Sequence, residues 1–343
     1  MITVPLETEL RATTLREMVP SSIRRVVPRP VKRVIGRFIA APEPPYEIDK
    51  LVDLGNTRAV RAFVVRTDQL GGPTTPATQE WWQTLEFTVP ADFRQPIDDP
   101  LSPAYFALQD RFYQTLVGSS YRGATSERTT FDKMAARKSH LAYPGWAPKD
   151  LNRHINALVR LVEQFDSADR VRVLEAGSGW GFACEYLARL GYRVVGVDIN
   201  RDFVKLAQYR SERFRLAIDY RLGTFERLPL ADNERFNVIF TSAALHHSRR
   251  PLLVLQNFVR HLTPGGQVIL SAEPFIDPAM WPHWGLRTDP LSIYCIAKFG
   301  WWESGWTLEF MMDLFKRVGL TPQFVDLHSD FERYLIGRHS TTS

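Results

Sequence analysis

The second half of the chain alternates short apolar runs with longer amphipathic stretches, a pattern that predicts strands and helices in turn. Runs of strand length lie at 171–174, 193–200, 217–223, 237–242 and 267–274. Stretches of helical pattern lie at 151–165, 182–191, 201–214, 251–266 and 306–320. Strands that alternate with helices form a parallel sheet, and two closely spaced runs, 322–327 and 331–337, predict an antiparallel hairpin at its end. The pattern therefore predicts an α/β domain over residues 150–343.

The first half of the chain has a less regular pattern. Residues 54–90 are expected to form strands and turns, with a break at the Gly-Gly-Pro sequence that starts at Gly71. Two stretches rich in aromatic residues are expected to be helical: 102–120 and 126–148. Residues 51–149 are interpreted either as an accessory cap over a binding pocket or as a structural extension that buries its own aromatic side chains.

Residues 1–50 are interpreted as a basic arm in which apolar and basic side chains are interleaved. No acidic residue lies between Glu17 and Glu43, and the whole chain carries a formal charge of +5. Such an arm favours contact of residues 20–40 with an anionic membrane surface, and the alternative is an arm packed against the domain. A net charge this modest disfavours nucleic acid as the partner.

Cysteine content and hydropathy bear on the compartment. The chain has two cysteines, too few for a disulfide framework or a cysteine-rich zinc site, and it has no run of 18 apolar residues. Its N-terminal sequence, MITVPLETEL, contains acidic residues and lacks an apolar stretch of signal-peptide length. These features predict a cytoplasmic protein, either free or attached peripherally to the inner face of the membrane, and leave its oligomeric state open.

A glycine-rich turn follows the first strand of the α/β domain and is the clearest chemical motif of the chain. The sequence VLEAGSGWG places an acid, Glu175, before three alternating glycines, Gly177, Gly179 and Gly181. Glycine lets the backbone approach a ligand closely and adopt a positive φ. A dinucleotide site would need the spacing GxGxxG, and this chain has Phe182 where that spacing needs its third glycine.

The second strand ends in another acid. Asp198 lies 21 positions after Gly177, an interval at which a carboxylate can bind both ribose hydroxyls of a nucleoside cofactor. Together the glycine turn and Asp198 resemble the motifs of class I S-adenosylmethionine-dependent methyltransferases. The resemblance implies a Rossmann-like seven-stranded methyltransferase sheet with a C-terminal antiparallel hairpin. It also implies S-adenosyl-L-methionine as the cofactor and methyl transfer as the reaction.

The resemblance carries over a set of cofactor-binding residues. They are Glu175, Gly177, Ser178, Gly179, Gly181, Asp198, Ile199, Thr224, Phe225 and Thr241. At Thr224 the chain departs from the family, many of whose members have an aspartate there to hold the adenine amino group. The threonine hydroxyl would make a weaker contact, and the backbone amide of Phe225 would still serve a ring nitrogen.

Transfer of a methyl group to a hydroxyl needs a base, and the sequence offers four candidates. His246 and His247 follow the fourth strand, Glu273 follows the fifth, and His283 lies in the long segment after it. His246 is the favoured base, with Glu273 and His283 as rivals, and one histidine of the adjacent pair is expected to be structural. The sequence has no evident cluster of metal ligands, so the chemistry is expected to be metal-independent.

Residues 274–306 are rich in tryptophan and are interpreted as a lid over the acceptor, the alternative being that these side chains pack against the domain. The sequence GWWESGW within them resembles segments of bacterial methyltransferases of polysaccharide, glycoconjugate or natural-product synthesis. The implied acceptor is a small molecule or a glycan, methylated on a hydroxyl. Two alternatives stay open: a catalytically silent cofactor-binding subunit, and an N-methyltransferase that acts on an amine.

Overall fold

The structure is a computed structural model that describes residues 48–94, 98–129, 131–141, 170–276, 283–326 and 333–339. The basic arm, except for its last three residues, and the helix predicted at 151–165 lie outside the described residues. Part of the predicted lid, residues 277–282, lies outside them as well.

The described residues form nine α-helices and eleven β-strands. The helices are α1 Thr57–Gln69, α2 Pro76–Trp82, α3 Pro103–Val117, α4 Lys133–Lys138, α5 Phe182–Arg189, α6 Arg201–Phe214, α7 Pro251–Arg260, α8 Pro290–Phe299 and α9 Leu308–Arg317. The strands are β1 Leu51–Asp53, β2 Glu86–Thr88, β3 Arg172–Ala176, β4 Arg193–Asp198, β5 Ile218–Leu222, β6 Phe236–Ser242, β7 Leu262–Ser271, β8 Trp284–Leu286, β9 Ser304–Trp306, β10 Leu320–Asp326 and β11 Arg333–His339.

The central sheet has seven strands in the order β10-β11-β7-β6-β3-β4-β5. Strands β7, β6, β3, β4 and β5 run parallel to one another, and β11 is antiparallel to both β7 and β10. The strand order reverses at β3, which has β4 on one side and β6 on the other. In open α/β sheets, ligands bind outside the carboxyl ends of the strands at such a point. The predicted Rossmann-like sheet with its C-terminal hairpin is confirmed.

The strand that ends at Asp198 shows why the sequence pattern predicted the strands of the sheet. Residues 194–198 of β4 are all buried, because helices cover both faces of a parallel sheet and its strands become continuous apolar runs. Asn200 follows directly and accepts a hydrogen bond from the backbone N–H of Asp202 (3.0 Å), which caps the start of α6. The short connection between strand and helix therefore fixes the position of Asp198.

Residues 54–90 contain two helices where strands and turns were predicted, and β2 is the one strand of this stretch. The Asn56 side chain accepts hydrogen bonds from the backbone N–H groups of Arg58 (3.0 Å) and Ala59 (3.4 Å), which starts α1. The buried residues of α1 recur at helical spacing: Ala59, Val60, Phe63 and Thr67. Neighbouring valines favour a strand, but this apolar stripe packs on the core only if the segment is helical.

Two predicted helices are shorter in the structure. The helix predicted at 251–266 ends at Arg260, and the residues after it enter β7. Pro264 has no backbone N–H to donate and Gly265 has a φ of 72°, so neither residue continues a helix. Within the described part of the stretch predicted at 126–148, α4 is the only α-helix.

The accessory residues 51–141 share one hydrophobic core with the sheet and with the segment that contains β8 and β9. Trp284, Trp302 and Trp306 in that segment are almost fully buried. The ring of Trp302 stacks on Tyr113 of α3, with 5.5 Å between the ring centroids. These three tryptophans of the predicted lid therefore pack inside the protein, and the lid itself remains a prediction.

Candidate cofactor and acceptor site

The turn between β3 and α5 is packed so closely that only glycine fits at two of its positions. Gly177 and Gly181 have φ angles of 80° and 86°, which residues with a side chain rarely adopt. A Cβ atom at Gly177 would lie 2.6 Å from Cβ of Ala244, and one at Gly181 would lie 2.0 Å from the hydroxyl oxygen of Tyr220. The glycines thus bring the backbone of this turn against its neighbours without a collision.

Asp198 lies beside the glycine turn at the carboxyl end of β4. Its Oδ2 accepts a hydrogen bond from the backbone N–H of Gly179 (2.8 Å), and its Oδ1 accepts one from Asn200 (2.7 Å). A carboxylate offers about four acceptor positions, so two stay available for hydroxyl groups of a ligand. Burial raises the pKa of Asp198 to about 6, although these two hydrogen bonds oppose the shift.

Glu175 joins the end of β3 to the first turn of α5. Its Oε2 accepts hydrogen bonds from the backbone N–H (3.1 Å) and the thiol (2.8 Å) of Cys184. Burial raises the pKa of Glu175 to about 8. Its side chain therefore holds a proton at neutral pH and supports the turn from within the protein.

A cavity of about 640 Å³ opens at the carboxyl ends of the parallel strands. Six of the predicted cofactor-binding residues line it: Gly177, Gly179, Asp198, Ile199, Thr224 and Phe225. The other four do not: Glu175, Ser178 and Thr241 are buried, and Gly181 immediately precedes α5. The structure thus brings the glycine turn, the acid of β4 and the segment after β5 to one cavity.

Thr224 and Phe225 form the wall of the cavity that follows β5. The Thr224 hydroxyl accepts a hydrogen bond from the backbone N–H of Arg227 (3.0 Å), which closes a turn. Asn257 of α7 donates a hydrogen bond from its side chain to the Phe225 carbonyl oxygen (3.2 Å). The hydroxyl of Thr224 therefore already has a structural partner, which leaves it a weaker ligand than the aspartate that many family members have there.

Glu273 binds the turn that follows β6. Its Oε1 accepts hydrogen bonds from the Thr241 hydroxyl (3.2 Å) and from the backbone N–H groups of Ala244 (3.0 Å) and Leu245 (2.8 Å). Its Oε2 lies 2.9 Å from Nδ1 of His246 and accepts a hydrogen bond from the backbone N–H of the same residue (3.1 Å). Burial by itself would raise the pKa of Glu273, but these partners lower it.

Of the four candidate bases, His247 lines the cavity, whereas His246, Glu273 and His283 do not. His247 Nδ1 lies 3.2 Å from Oε2 of Glu127, which also lines the cavity. Burial by itself would lower the pKa of His247, but the charge of Glu127, with smaller contributions from other carboxylates, raises it to about 9.

Glu127 is a residue of the site that the sequence did not reveal. Its Oε1 accepts a hydrogen bond from the backbone N–H of Trp302 (2.9 Å), so both of its oxygens have partners far away in the chain. No motif surrounds Glu127 in the sequence, and only the fold brings it to His247. The accessory region thus contributes a charged side chain to the cavity as well as part of the core.

His246, His247 and Glu303 form a group whose potential metal-ligand atoms all lie within 4.8 Å of one another. Nε2 of His246 lies 3.7 Å from Oε2 of Glu303, and the centroids of the two imidazole rings lie 4.3 Å apart. Glu303 Oε2 accepts a hydrogen bond from Nη2 of Arg287 (2.5 Å). We interpret the group as a network of ion pairs, and metal-independent chemistry remains a prediction.

Comparisons with known proteins find that part of this chain is similar to methyltransferases. Residues 174–270 match a family model that is described as a methyltransferase domain. The ubiquinone biosynthesis O-methyltransferase of Cereibacter sphaeroides is 32% identical over 157 residues, which are 44% of this chain and 61% of that protein. The protein of the same name from Maricaulis maris is 36% identical over 101 residues, 29% of this chain and 40% of that protein. The chain thus spans less than two thirds of the length of these curated relatives.

Solved structures with a similar fold include two that the chain matches at low sequence identity. Magnesium protoporphyrin IX methyltransferase from Synechocystis, with bound SAH, has a TM-score of 0.45 and 16% identity, and the match covers 61% of this chain and 94% of that one. A putative sarcosine dimethylglycine methyltransferase from Galdieria sulphuraria has a TM-score of 0.41 and 23% identity, and the match covers 50% of this chain and 61% of that one.

Proposed function

We propose that the protein transfers a methyl group from S-adenosyl-L-methionine to a hydroxyl group of a small molecule or glycan. The match of residues 174–270 to a methyltransferase domain supports the proposal. One observation carries the proposal. A single cavity is lined at one place by the glycine turn and Asp198, and at another by the pair of Glu127 and His247. A cofactor-binding motif and a base with its carboxylate partner therefore face the same space.

The residues of the cavity fit the cofactor. The turn at Gly177 has no space for a side chain, and Asp198 has two acceptor positions left for ribose hydroxyls. The lining has the carboxylates of Glu127, Asp198 and Glu226 beside the guanidinium groups of Arg249 and Arg250. Because Arg249 already pairs with Asp110, carboxylates remain that suit a positively charged ligand. When bound, the cofactor would supply a methyl group activated by the sulfonium charge.

His247 is the side chain that we assign as the base. Glu127 lies against its Nδ1, which leaves Nε2 as the nitrogen that can accept a proton from an acceptor hydroxyl. The negative charge of Glu127 beside the ring stabilises the imidazolium that forms. The imidazole of His246 is held by Glu273 instead, and we therefore prefer His247 to His246.

The lining around His247 favours an aromatic acceptor. The ring of Trp301 meets the ring of His247 edge to face, with 5.9 Å between centroids, and Tyr121 lines the same cavity. Aromatic walls suit a flat ring or the apolar face of a sugar. The relatives' name, ubiquinone biosynthesis O-methyltransferase, agrees with a phenolic hydroxyl, so we place a small phenol before a glycan as the acceptor.

The experiment that tests the proposal measures transfer of a labelled methyl group. The protein is incubated with methyl-labelled S-adenosyl-L-methionine and panels of phenols, lipid-linked glycans and amines, and the products are identified by mass spectrometry. We expect a methyl ether, and we expect His247→Gln to lower turnover about 10²–10⁴-fold while cofactor binding persists. His283→Gln is the matched control, a histidine change away from the cavity.

Other outcomes of that experiment would support the competing functions. Methylation of amines alone, with His247→Gln active, would favour an N-methyltransferase, because a neutral amine needs no base. Cofactor binding without transfer to any class of acceptor would favour a catalytically silent subunit. If neither binding nor transfer occurs, the proposed function is wrong.

We also propose that the protein is cytoplasmic and touches an anionic membrane surface through residues 20–40. Those residues lie outside the described part of the chain, so the proposal rests on their basic and apolar sequence. Among the described helices, none has the length and hydropathy to cross a membrane. Co-sedimentation with vesicles that contain phosphatidylserine tests the contact, which added salt is expected to weaken. Binding that is absent or insensitive to salt would contradict it.

A further inference from the structure

His247 lies in the middle of several charged groups. Carboxylates, bases and a phenol face it or lie beside it: Glu127, Asp198, Glu226, Glu273, Glu303, His246, Arg249, Arg250, Arg287 and Tyr121. They belong to the accessory region, to the ends of β4 and β7, to the turn after β5, to the turn before α7 and to the segment between β8 and β9. The charge that His247 carries is therefore set by groups from all sides of the cavity.

Most of these charges already have partners of opposite sign or hydrogen-bond donors. Glu303 pairs with Arg287 (2.5 Å), and Arg249 pairs with Asp110 of α3. Glu273 binds the ring and backbone of His246, as described above. In the part of the chain that the structure describes, Glu127 has His247 as its one ion-pair partner.

Within the described residues, Asp198 and Glu226 are the acids of this set that form no ion pair, and Glu226 accepts a hydrogen bond from the Ser248 hydroxyl (2.8 Å). In the same part of the chain, the hydrogen bonds of Asp198 come from two backbone N–H groups, and no basic side chain forms an ion pair with it. Burial raises its pKa to about 6, and the charge on His247 partly opposes that rise. The acid of the cofactor motif and the histidine therefore interact electrostatically across the cavity.

The next inference concerns the charge of His247 when the cofactor binds, and it rests on the proposed function. We propose that binding of S-adenosyl-L-methionine displaces a proton from His247, so that the imidazolium and the sulfonium are not present in the cavity together. His247 carries the charge before binding, and the sulfonium of the cofactor carries it afterwards. Two cations near the same carboxylates repel each other, and the proton is the one that can leave, to the solvent.

The exchange prepares the base at the moment when it is needed. An imidazolium cannot take a proton, whereas the neutral imidazole left by the exchange can. During transfer, the acceptor oxygen forms a bond to the methyl carbon, the S–C bond breaks with its electron pair staying on sulfur, and His247 takes the hydroxyl proton. The sulfur becomes neutral as the imidazole becomes charged, so the transfer leaves the net charge of the cavity unchanged.

The experiment compares ligands that differ in this charge alone. Titration calorimetry at pH 7.5 in phosphate and in Tris, whose ionisation enthalpies differ, counts the protons released on binding. S-adenosyl-L-methionine and sinefungin, which carries an amine near the position of the sulfonium, are expected to release about 0.5–1 proton. The uncharged thioether S-adenosylhomocysteine is expected to release far less. Between pH 7 and 9 the affinity for S-adenosyl-L-methionine should rise by up to about tenfold per pH unit, while that for the thioether stays nearly constant.

Variants assign the proton to His247. His247→Gln should abolish the difference between the charged and uncharged ligands, and His283→Gln should leave it unchanged. Glu127→Gln should reduce it, because the histidine loses the carboxylate that favours its charged form, and this variant serves if His247→Gln does not fold. The nitrogen chemical shifts of the His247 ring, measured with each ligand, report the same change directly.

Each result bears on one or both of the two proposals. Equal proton release with the charged and uncharged ligands overturns the charge exchange, and so does a difference that persists in His247→Gln. If the protein binds neither ligand, the proposed function is wrong, and the charge exchange that rests on it falls as well. If His247 releases a proton on binding but the His247→Gln variant retains full turnover, the charge exchange is supported. His247 is then not the catalytic base.

Discussion

Glu273 is hydrogen-bonded to both the backbone and the ring of His246, so the carboxylate holds the turn that also carries His247. Because the buried carboxylate accepts five hydrogen bonds in all, we expect Glu273→Gln to lower the free energy of unfolding by about 2–4 kcal/mol. Denaturant unfolding measures the change. Glu309→Gln, an exposed position of α9, is the control. A variant as stable as the wild type would mean that the turn does not depend on this carboxylate.

Asp198→Asn is expected to weaken the binding of S-adenosyl-L-methionine and of S-adenosylhomocysteine. Both ligands have the ribose that the carboxylate would bind, and a charge-assisted hydrogen bond contributes about 1.5–3 kcal/mol, which corresponds to about 10–100-fold in affinity. Calorimetry measures both affinities, with Asp232→Asn, an exposed acid, as the control. Unchanged affinities would remove Asp198 from the cofactor site.

Gly177→Ala and Gly118→Ala form a matched pair. Both glycines have a φ of 80°, so a side chain strains the backbone at either position by about 1–2 kcal/mol. A Cβ atom at Gly118 meets nothing within 4 Å, whereas one at Gly177 collides with Ala244. We expect thermal unfolding to show the larger loss for Gly177→Ala, and calorimetry to show weaker cofactor binding for that variant alone. Similar losses of stability at both positions would contradict the close packing of the turn.

Glu175→Gln is expected to fold and bind the cofactor nearly as the wild type does. Burial keeps Glu175 protonated at neutral pH, because its pKa is about 8, and glutamine has the same shape without a charge. The free energy of unfolding at pH 7 should change by less than about 1 kcal/mol, whereas Glu175→Ala should cost about 1–3 kcal/mol by leaving the Cys184 N–H without its acceptor. A large loss for the glutamine variant would show that the carboxylate is ionised.

His247 should make the stability of the protein depend on pH in the alkaline range. Its pKa is about 9 in the folded protein and 6.5 ordinarily, so the folded state binds the proton more tightly than the unfolded state does. The resulting stabilisation is present in full below about pH 6.5 and is lost as the pH rises through about 9. Relative to His247→Gln, the wild type should therefore lose about 1–3 kcal/mol between pH 6.5 and pH 10. Parallel stability curves for the two proteins would contradict the raised pKa.

The sequence predicted the sheet and the cofactor motif because both depend on local patterns. The inner strand β4 is a nearly continuous apolar run, and Asp198 ends this strand at a regular interval from Gly177. Those regularities arise from burial and from chain geometry, and they are visible without the fold. The helix at 57–69 was missed because its valines favour a strand locally, and packing against the core overrode that preference.

The candidate base was harder to predict from the sequence, because its surroundings depend on contacts between residues that are distant in the chain. His246 and His247 are adjacent in the sequence and indistinguishable there, and only the structure shows that one pairs with Glu273 and the other with Glu127. No sequence motif surrounds Glu127, so the sequence alone does not identify it as a residue of the site. The identity of a base is therefore decided by which side chains the fold places around each histidine.

The shared core of the accessory region and the sheet has a consequence for how such proteins are compared. An alignment restricted to residues 174–270 includes His247 but omits Glu127, and it omits the ring of Trp302 that packs on α3. Two proteins could then agree throughout the aligned domain and still differ in the residue that sets the charge of the histidine. The residues before the domain therefore have to be included when such chains are compared, and a shortened protein that starts at residue 150 would keep Gly177 and Asp198 but lack the carboxylate that lies beside His247.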